Sequence, residues 1–168
     1  MKQIVVVFLL ICCIFSMISC SPHKEPEDPV TFYYRRENIT YSSSEDVISG
    51  EFREAKGHKL DIEHLLKEYL KGPLSDGLTN FIPQNTKLVK FSLDDDSARV
   101  LLSDGFARLS GLDLTVTCAC ITLTVIGLTN VKTVQISTQN VPLNNQPHIT
   151  MNEDCLMLLD NTTLTATQ

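Results

Sequence analysis

The sequence contains no cluster of basic residues and no short motif typical of a catalytic or nucleotide-binding site. Its 14 lysines and arginines are outnumbered by 20 acidic residues, and the net charge of −6 argues against binding to nucleic acid or, by the folded part, to lipid headgroups. No Gly-x-Ser-x-Gly or cysteine-protease pattern occurs, and the seven glycines are too dispersed to form a phosphate-binding loop. We therefore expect no enzyme activity, no catalytic residue and no cofactor.

Two polar groupings were considered as binding sites. Residues 94–96 are three consecutive aspartates, but an EF-hand loop spaces its acidic ligands at alternate positions, with a central Gly and a final Glu that are absent here. We interpret these aspartates as a solvated hairpin turn. His64 could face Glu68 one helical turn on, which is typical of a solvated surface. No metal site is predicted.

Cysteine is present, but not in a number that indicates a disulfide framework. Three cysteines remain beyond the N-terminal segment, namely Cys118, Cys120 and Cys155. One disulfide among them stays an alternative, whereas buried small apolar side chains are the favoured role. On a helix, Cys118 and Cys120 lie about 200° apart, so they could not bind one zinc ion together.

The N-terminus carries Lys2, an apolar run over residues 4–15, and then Ser19 before Cys20. This pattern resembles a bacterial lipoprotein signal peptide, because the run is shorter than the ~20 residues of a membrane-spanning helix and the ending is a lipobox rather than an Ala-x-Ala site. We expect cleavage between Ser19 and Cys20 and lipid on the Cys20 sulfur, which would hold the protein at the extracytoplasmic face of the cell membrane. The alternative is an ordinary signal peptide followed by an accidental cysteine.

Four segments are predicted along the chain. After the signal peptide (1–19), residues 20–29 form the lipid anchor and a tether with three prolines and three acids, whose last nine residues would span about 28 Å when extended. Cleavage would leave 149 of the 168 residues, enough for one domain with a hydrophobic core. We assign the domain to residues 30–140 and a C-terminal extension to 141–168, whose apolar run at 155–159 would add an edge strand.

Hydrophobic periodicity predicts the elements of the domain. Apolar side chains at spacings of three and four, followed by Gly72 and Pro73, predict a helix over 60–71. Alternating apolar side chains predict strands in four places, and 37–57 is interpreted as a loop with one weak strand. The predicted strands are 31–35, 89–93, 98–103 and 132–138, of which the middle two form a hairpin.

Residues 112–128 are ambiguous, because their many Thr, Val and Ile residues favour a strand. Leu112, Val116, Ala119, Leu123 and Ile126, however, step by four, three, four and three residues, which predicts a buried helix. Two amphipathic helices with three or four strands predict an α+β fold. We expect a two-layer sandwich with both helices on one face of a single three- to four-stranded sheet.

Several short motifs occur in a fixed order between residues 30 and 140. They consist of Leu70, Gly72 and Pro73; Ile82, Pro83 and Thr86; Ala98, Val100, Leu102, Ser103 and Phe106; and Thr124, Val131 and Val134. In this order and spacing they resemble the GerMN domain, named after the sporulation and spore germination protein GerM. Leu101 departs from the family, which usually has Asp or Asn at that position.

The resemblance implies a fold similar to the ring-building modules of secretion and sporulation complexes, with oligomerisation if that similarity is functional. It also implies a lipoprotein without catalytic residues that contacts an envelope protein or peptidoglycan, as an assembly or stabilising factor in sporulation or germination. Two alternatives stay open. A solute-binding lipoprotein would need a small pocket, and a cell-wall hydrolase would need two convergent carboxylates or a metal.

Overall fold

The computed structural model describes residues 28–37 and 47–156, with side chains up to residue 154. The helices and strands in chain order are β1 (Pro29–Arg36), β2 (Ile48–Glu54), α1 (Ile62–Leu70), β3 (Leu78–Thr79), β4 (Leu88–Asp94), β5 (Ser97–Leu102), a 3₁₀ turn (Asp104–Arg108), α2 (Gly111–Thr129), β6 (Thr133–Thr138), β7 (Ile149–Asn152) and α3 (Glu153–Leu156). The predicted mixture of helices and strands is confirmed, and so is each helix and hairpin of residues 60–128. The predicted signal peptide, lipidation site and tether up to residue 27 lie outside the described residues.

The described strands form two sheets, whereas a single sheet was predicted. An antiparallel sheet has the order β2-β1-β3, and a second sheet has the order β4-β5-β6-β7, in which β5 and β6 are parallel. A parallel pair needs a crossover connection, and α2 forms it. The prediction missed the second sheet because β2, which we interpreted as a weak strand within a loop, pairs with β1 along its length.

The middle of helix α2, residues 116–122, is buried on all sides, since the helix contacts β1 of one sheet and β6 and β7 of the other. Such a helix has no polar stripe, so it differs from the amphipathic helix that we predicted. By length and composition it could cross a membrane, but here it is the core helix of the domain, and more than half of it is buried. One of its side chains also completes the first sheet, because the Tyr33 backbone N–H donates to the Thr124 hydroxyl at 2.9 Å.

Helix α1 begins and ends at residues with clear local causes. The carboxylate of Asp61 caps its N-terminus by accepting a hydrogen bond from the backbone N–H of His64 at 3.0 Å. Gly72 follows the helix with a φ of +100°, which an L side chain rarely adopts, and Pro73 cannot continue the helix. Leu60, which we expected inside the helix, precedes it and is 96% exposed.

An aromatic cluster joins α1 to the first sheet. The rings of Tyr34 and Tyr69 stack with centroids 4.9 Å apart, and Phe32 meets Tyr69 edge-on at 5.7 Å. The Tyr34 hydroxyl also donates to the backbone carbonyl of Tyr69 at 2.8 Å. All three rings are almost fully buried, so they position α1 over β1 firmly.

The C-terminal extension contributes a strand to the second sheet, because β7 pairs with β6. This strand lies just before the apolar run 155–159, where the sequence predicted an edge strand. Residues 153–156 instead form the short helix α3, and residues 157–159 lie outside the described part. The folded domain therefore continues past residue 140.

Candidate binding groove

A groove of about 570 Å³ lies between strand β2 and helix α1. Its floor consists of the buried apolar side chains of Val30, Phe32 and Leu65. Phe52 and Leu74 line it as well, and they are 75% and 81% exposed. Two large apolar side chains left in solvent beside one concave surface are typical of a binding site.

A buried ion pair supports one wall of the groove. Glu51 is only 4% exposed and pairs with Arg53 two residues along β2. The same carboxylate accepts the backbone N–H groups of Leu74 at 2.8 Å and Ser75 at 2.7 Å, while Arg53 donates to the Gly72 carbonyl at 2.6 Å. These bonds attach the 72–75 loop to β2 and thereby hold Leu74 at the groove.

The electrostatics of Glu51 follow from these contacts. Burial alone would raise the pKa of its carboxyl group, but hydrogen bonds from Ser75, Arg53 and Leu74 stabilise the carboxylate and lower the pKa below its usual value. Glu51 is therefore a charged structural anchor at neutral pH. Its side chain is almost fully buried and its oxygens already accept three donors, so it is poorly placed to act as a general base.

Two histidines stack at one end of the groove. The rings of His58 and His64 have centroids 4.0 Å apart and an angle of 26° between their planes. Both residues line the groove, whereas the sequence related His64 only to Glu68. Sequence spacing could not find this pair, because the turn between residues 58 and 61 brings the two rings together.

A second, wider groove of about 930 Å³ lies between the 57–63 segment and strand β4. Leu60 and Leu93 contribute exposed apolar surface to it, and His58 lies on the ridge between the two grooves. It is the more open of the two surfaces. We therefore take the groove beside β2 as the candidate site.

The aspartates at 94–96 lie at the β4–β5 turn, as predicted. Asp94 pairs with Arg99 at 3.1 Å and Asp96 with Lys132 at 2.6 Å, and all four side chains are largely exposed. The backbone carbonyl of Asp96 also accepts the N–H of Lys132 at 2.8 Å, which attaches the turn to the start of β6. Within residues 28–37 and 47–154, no group of three His, Cys, Asp or Glu side chains could hold a metal ion.

Cys118 and Cys120 are buried free thiols on helix α2, in agreement with the predicted core role. Burial raises the pKa of each thiol to about 12, with the neighbouring Cys118 adding to the effect at Cys120. Such thiols are neutral and unreactive at physiological pH. The side chain of Cys155 and the processing residues Ser19 and Cys20 lie outside the described part of the chain.

Comparisons with known proteins identify the kind of domain that carries the groove. The model of a family described as Germane, sporulation and spore germination, matches residues 31–144, more than half of the chain. The structure is similar to the first GerMN domain of the sporulation protein GerM from Bacillus subtilis, with a TM-score of 0.56 and 17% identity over 71% of this chain and 88% of that chain. No curated protein matches the chain by sequence.

A second solved structure, the tandem GerMN domains of the sporulation protein GerM from Bacillus subtilis, has a TM-score of 0.50 and 25% identity. The match covers 67% of this chain and 39% of the tandem. The present chain thus spans less than half the length of that protein.

Proposed function

Because the chain belongs to the Germane family of sporulation and spore germination proteins and carries a GerMN-type domain, we propose that it is a non-enzymatic, lipid-anchored assembly factor of the cell envelope. In this role the domain binds another envelope protein. The observation that supports binding is the groove between β2 and α1, where Phe52 and Leu74 leave large apolar surfaces in water.

Anchoring is proposed from the sequence. Lipid on Cys20 would hold the domain at the extracytoplasmic face of the membrane, and the proline-rich tether would place it about 28 Å from the anchor. Labelling of the full chain in cells with a radioactive fatty acid tests this step. We expect the unsubstituted protein to carry the label and to lose its signal peptide, and a Cys20→Ala variant to remain unlabelled and unprocessed; equal labelling of both would refute the lipid anchor.

Partner binding is tested by cross-linking in cells that produce the full chain. Phe52→Ala and Leu74→Ala should lose the cross-linked envelope partner, because truncation removes the apolar contact. Leu112→Ala is the matched control, since Leu112 is 47% exposed on α2 and does not line the groove. A partner that survives both groove substitutions, or is lost in the control, would place the contact elsewhere.

Assembly of several copies is part of the proposal, since the GerMN resemblance implies a ring-building type of fold. A ring requires heterologous contacts that close on themselves. Light scattering on the full chain in detergent, alone and with the cross-linked partner, should detect a complex larger than one copy. A single copy under both conditions would limit the protein to a one-to-one binding role.

Solute binding is the second candidate function. The groove volume of about 570 Å³ falls within the roughly 300–1,000 Å³ of small-molecule sites, and its apolar floor with polar rim is typical of them. A thermal-shift screen of the full chain against envelope-relevant small molecules tests it. A hit whose stabilisation disappears in Phe52→Ala would favour this function over partner binding.

A further inference from the structure

Among the residues that the structure describes, none pairs with the outer edge of strand β2, which lies beside the groove. In the sheet order β2-β1-β3 it is an outer strand. The N–H of Arg36 donates to the carbonyl of Val47, and the N–H of Ala55 donates to the carbonyl of Asp28, so the even-numbered residues of β1 are the ones that bond to β2. The N–H of Tyr33 points the other way, to Thr124.

This alternation determines which peptide groups of β2 point outward. In an antiparallel pair, residues that do not exchange hydrogen bonds with the partner strand direct their N–H and C=O groups away from it. Gly50 is opposite Tyr33, Phe52 is opposite Thr31, and Glu54 has the same parity. All three are exposed, and no other described residue forms a hydrogen bond with their outward groups.

The edge of β2 lacks most of the features that protect exposed strands from pairing, which include a proline, a lysine, a bulge or a very short strand. It does carry inward-pointing charges, but Glu51 and Arg53 are paired with each other and bonded to the 72–75 loop. β2 has seven residues, no lysine, no proline and an uninterrupted register with β1. Among the other outer strands, β4 has an irregularity between Leu88 and Lys90 and carries that lysine, and β7 has four residues.

The groove runs along this free edge. Phe52, Glu54 and Lys56 line one side of it, and His64 and Glu68 of helix α1 line the other. A strand added to β2 would alternate its side chains between solvent and the groove, because successive residues of a strand point to opposite faces. The apolar floor would receive one of the side chains that point inward.

We propose that an extended segment of a partner protein adds to β2 as a further strand and inserts an apolar side chain between β2 and α1. The outward peptide groups of Gly50, Phe52 and Glu54 select a polypeptide backbone, because only another strand offers donors and acceptors at the same spacing. The net charge of the groove does not determine which partner binds. Arg53 and Glu68 are already paired with Glu51 and Lys71, which leaves one charge of each sign, Glu54 and Lys56, in the lining.

This strand addition rests on the proposed binding of an envelope protein, and it specifies the contacts through which that partner is bound. The probe is a set of random 12-residue peptides displayed on phage and selected on the immobilised full chain. We expect selected peptides with alternating apolar residues. Each selected peptide is then synthesised with single backbone N-methyl groups, and methylation should weaken binding about tenfold at every second residue, the effect of losing one hydrogen bond.

The protein-side test compares Phe52→Pro with Phe52→Val. Both lose the ring, but only proline removes the outward N–H, which takes no part in the β1–β2 pairing. We expect about tenfold weaker peptide binding for the proline variant than for the valine variant, and similar melting temperatures. If the proline variant does not fold, the N-methyl series on the peptide tests the strand addition by itself.

Three results would overturn the strand addition. They are equal effects of both substitutions, an N-methyl series without a two-residue period, and displacement of the peptide by soluble peptidoglycan fragments that bind both variants equally. If the envelope partner cross-links to Phe52→Pro as it does to Phe52→Val, but is lost from Leu74→Ala, the inference fails while the proposed function stands. If neither a peptide nor a partner binds, both fail.

Discussion

The hydroxyl of Thr124 accepts a hydrogen bond from the backbone N–H of Tyr33 at 2.9 Å, across 91 residues of chain. Tyr33 lies on the edge of β1 that faces away from β2, and short strand β3 pairs only with the end of that edge. Thr124 is fully buried in the core helix. The hydroxyl thus satisfies a backbone donor of the first sheet from the helix between the sheets.

This relationship predicts the effect of an isosteric substitution. Thr124→Val keeps the shape of the side chain but leaves the Tyr33 N–H without its partner, which should lower the free energy of unfolding by about 1–3 kcal/mol. Thr122→Val is the matched control, because the buried Thr122 hydroxyl forms no hydrogen bond within the described structure. Urea unfolding should show the control unchanged or more stable, and equal losses in the two variants would contradict the role of the bond.

The ion pair of Glu51 and Arg53 predicts a larger effect. Glu51→Ala should lower the free energy of unfolding by about 3–5 kcal/mol, because it leaves the buried arginine uncompensated and frees two backbone N–H groups. Glu54→Ala, on the same strand but exposed, should change it by less than about 0.5 kcal/mol. Denaturant unfolding measures both variants. Comparable losses of unfolding free energy at both positions would show that the ion pair contributes no more than an exposed side chain.

The same carboxylate predicts a pH dependence. The pKa of Glu51 is lower in the folded protein than in the unfolded chain, so its contribution is complete above the unfolded value of about 4.3 and is lost as the pH falls through the folded value. The unsubstituted chain should therefore lose more stability below about pH 5 than Glu51→Gln. Unfolding curves that run parallel for the two proteins down to the acid limit would contradict this assignment.

The buried thiols predict resistance to alkylation. With pKa values near 12, Cys118 and Cys120 carry only about one thiolate in 10⁴ at pH 8. Iodoacetamide should leave both unmodified in the native protein and label both in guanidinium chloride, as peptide mass spectrometry can resolve. Native labelling at the rate of a free thiol would contradict their burial.

The backbone conformation of Gly72, just after helix α1, predicts that a substitution at this position destabilises the protein. Its φ of +100° makes Gly72→Ala strained by about 1–3 kcal/mol, although a Cβ atom would have room beside Asn80 at 3.7 Å. Gly105→Ala is the control, because that glycine has no positive φ and its Cβ would make an ordinary contact. Melting temperatures should separate the two variants, and an unaffected Gly72→Ala would show that the turn relaxes.

Local patterns were sufficient to predict helices α1 and α2 and the β4–β5 hairpin. The steps of four and three residues in 112–128 outweighed the strand propensity of Thr, Val and Ile, because a helix buried on all sides is stabilised by its packing rather than by propensity. Gly72 and Pro73 likewise marked the end of α1 through their own backbone preferences. Of the family motif residues, Leu70 lies on α1, Ala98, Val100 and Leu102 lie on the hairpin, and Thr124 lies on α2.

The sequence by itself therefore determined the elements that depend on local causes, which are repeated apolar spacing, helix-ending residues and an acidic turn. It also indicated the family, and it predicts lipidation at Cys20. Only the tertiary structure decided that the strands form two sheets and that a groove lies between β2 and α1. The sequence predicted no more than a weak strand at β2, because its pattern is inverted: charged Glu51 is buried and apolar Phe52 is exposed. That inversion is stable only because Arg53 on the same strand and the loop at 72–75, which is distant in sequence, surround the carboxylate with donors.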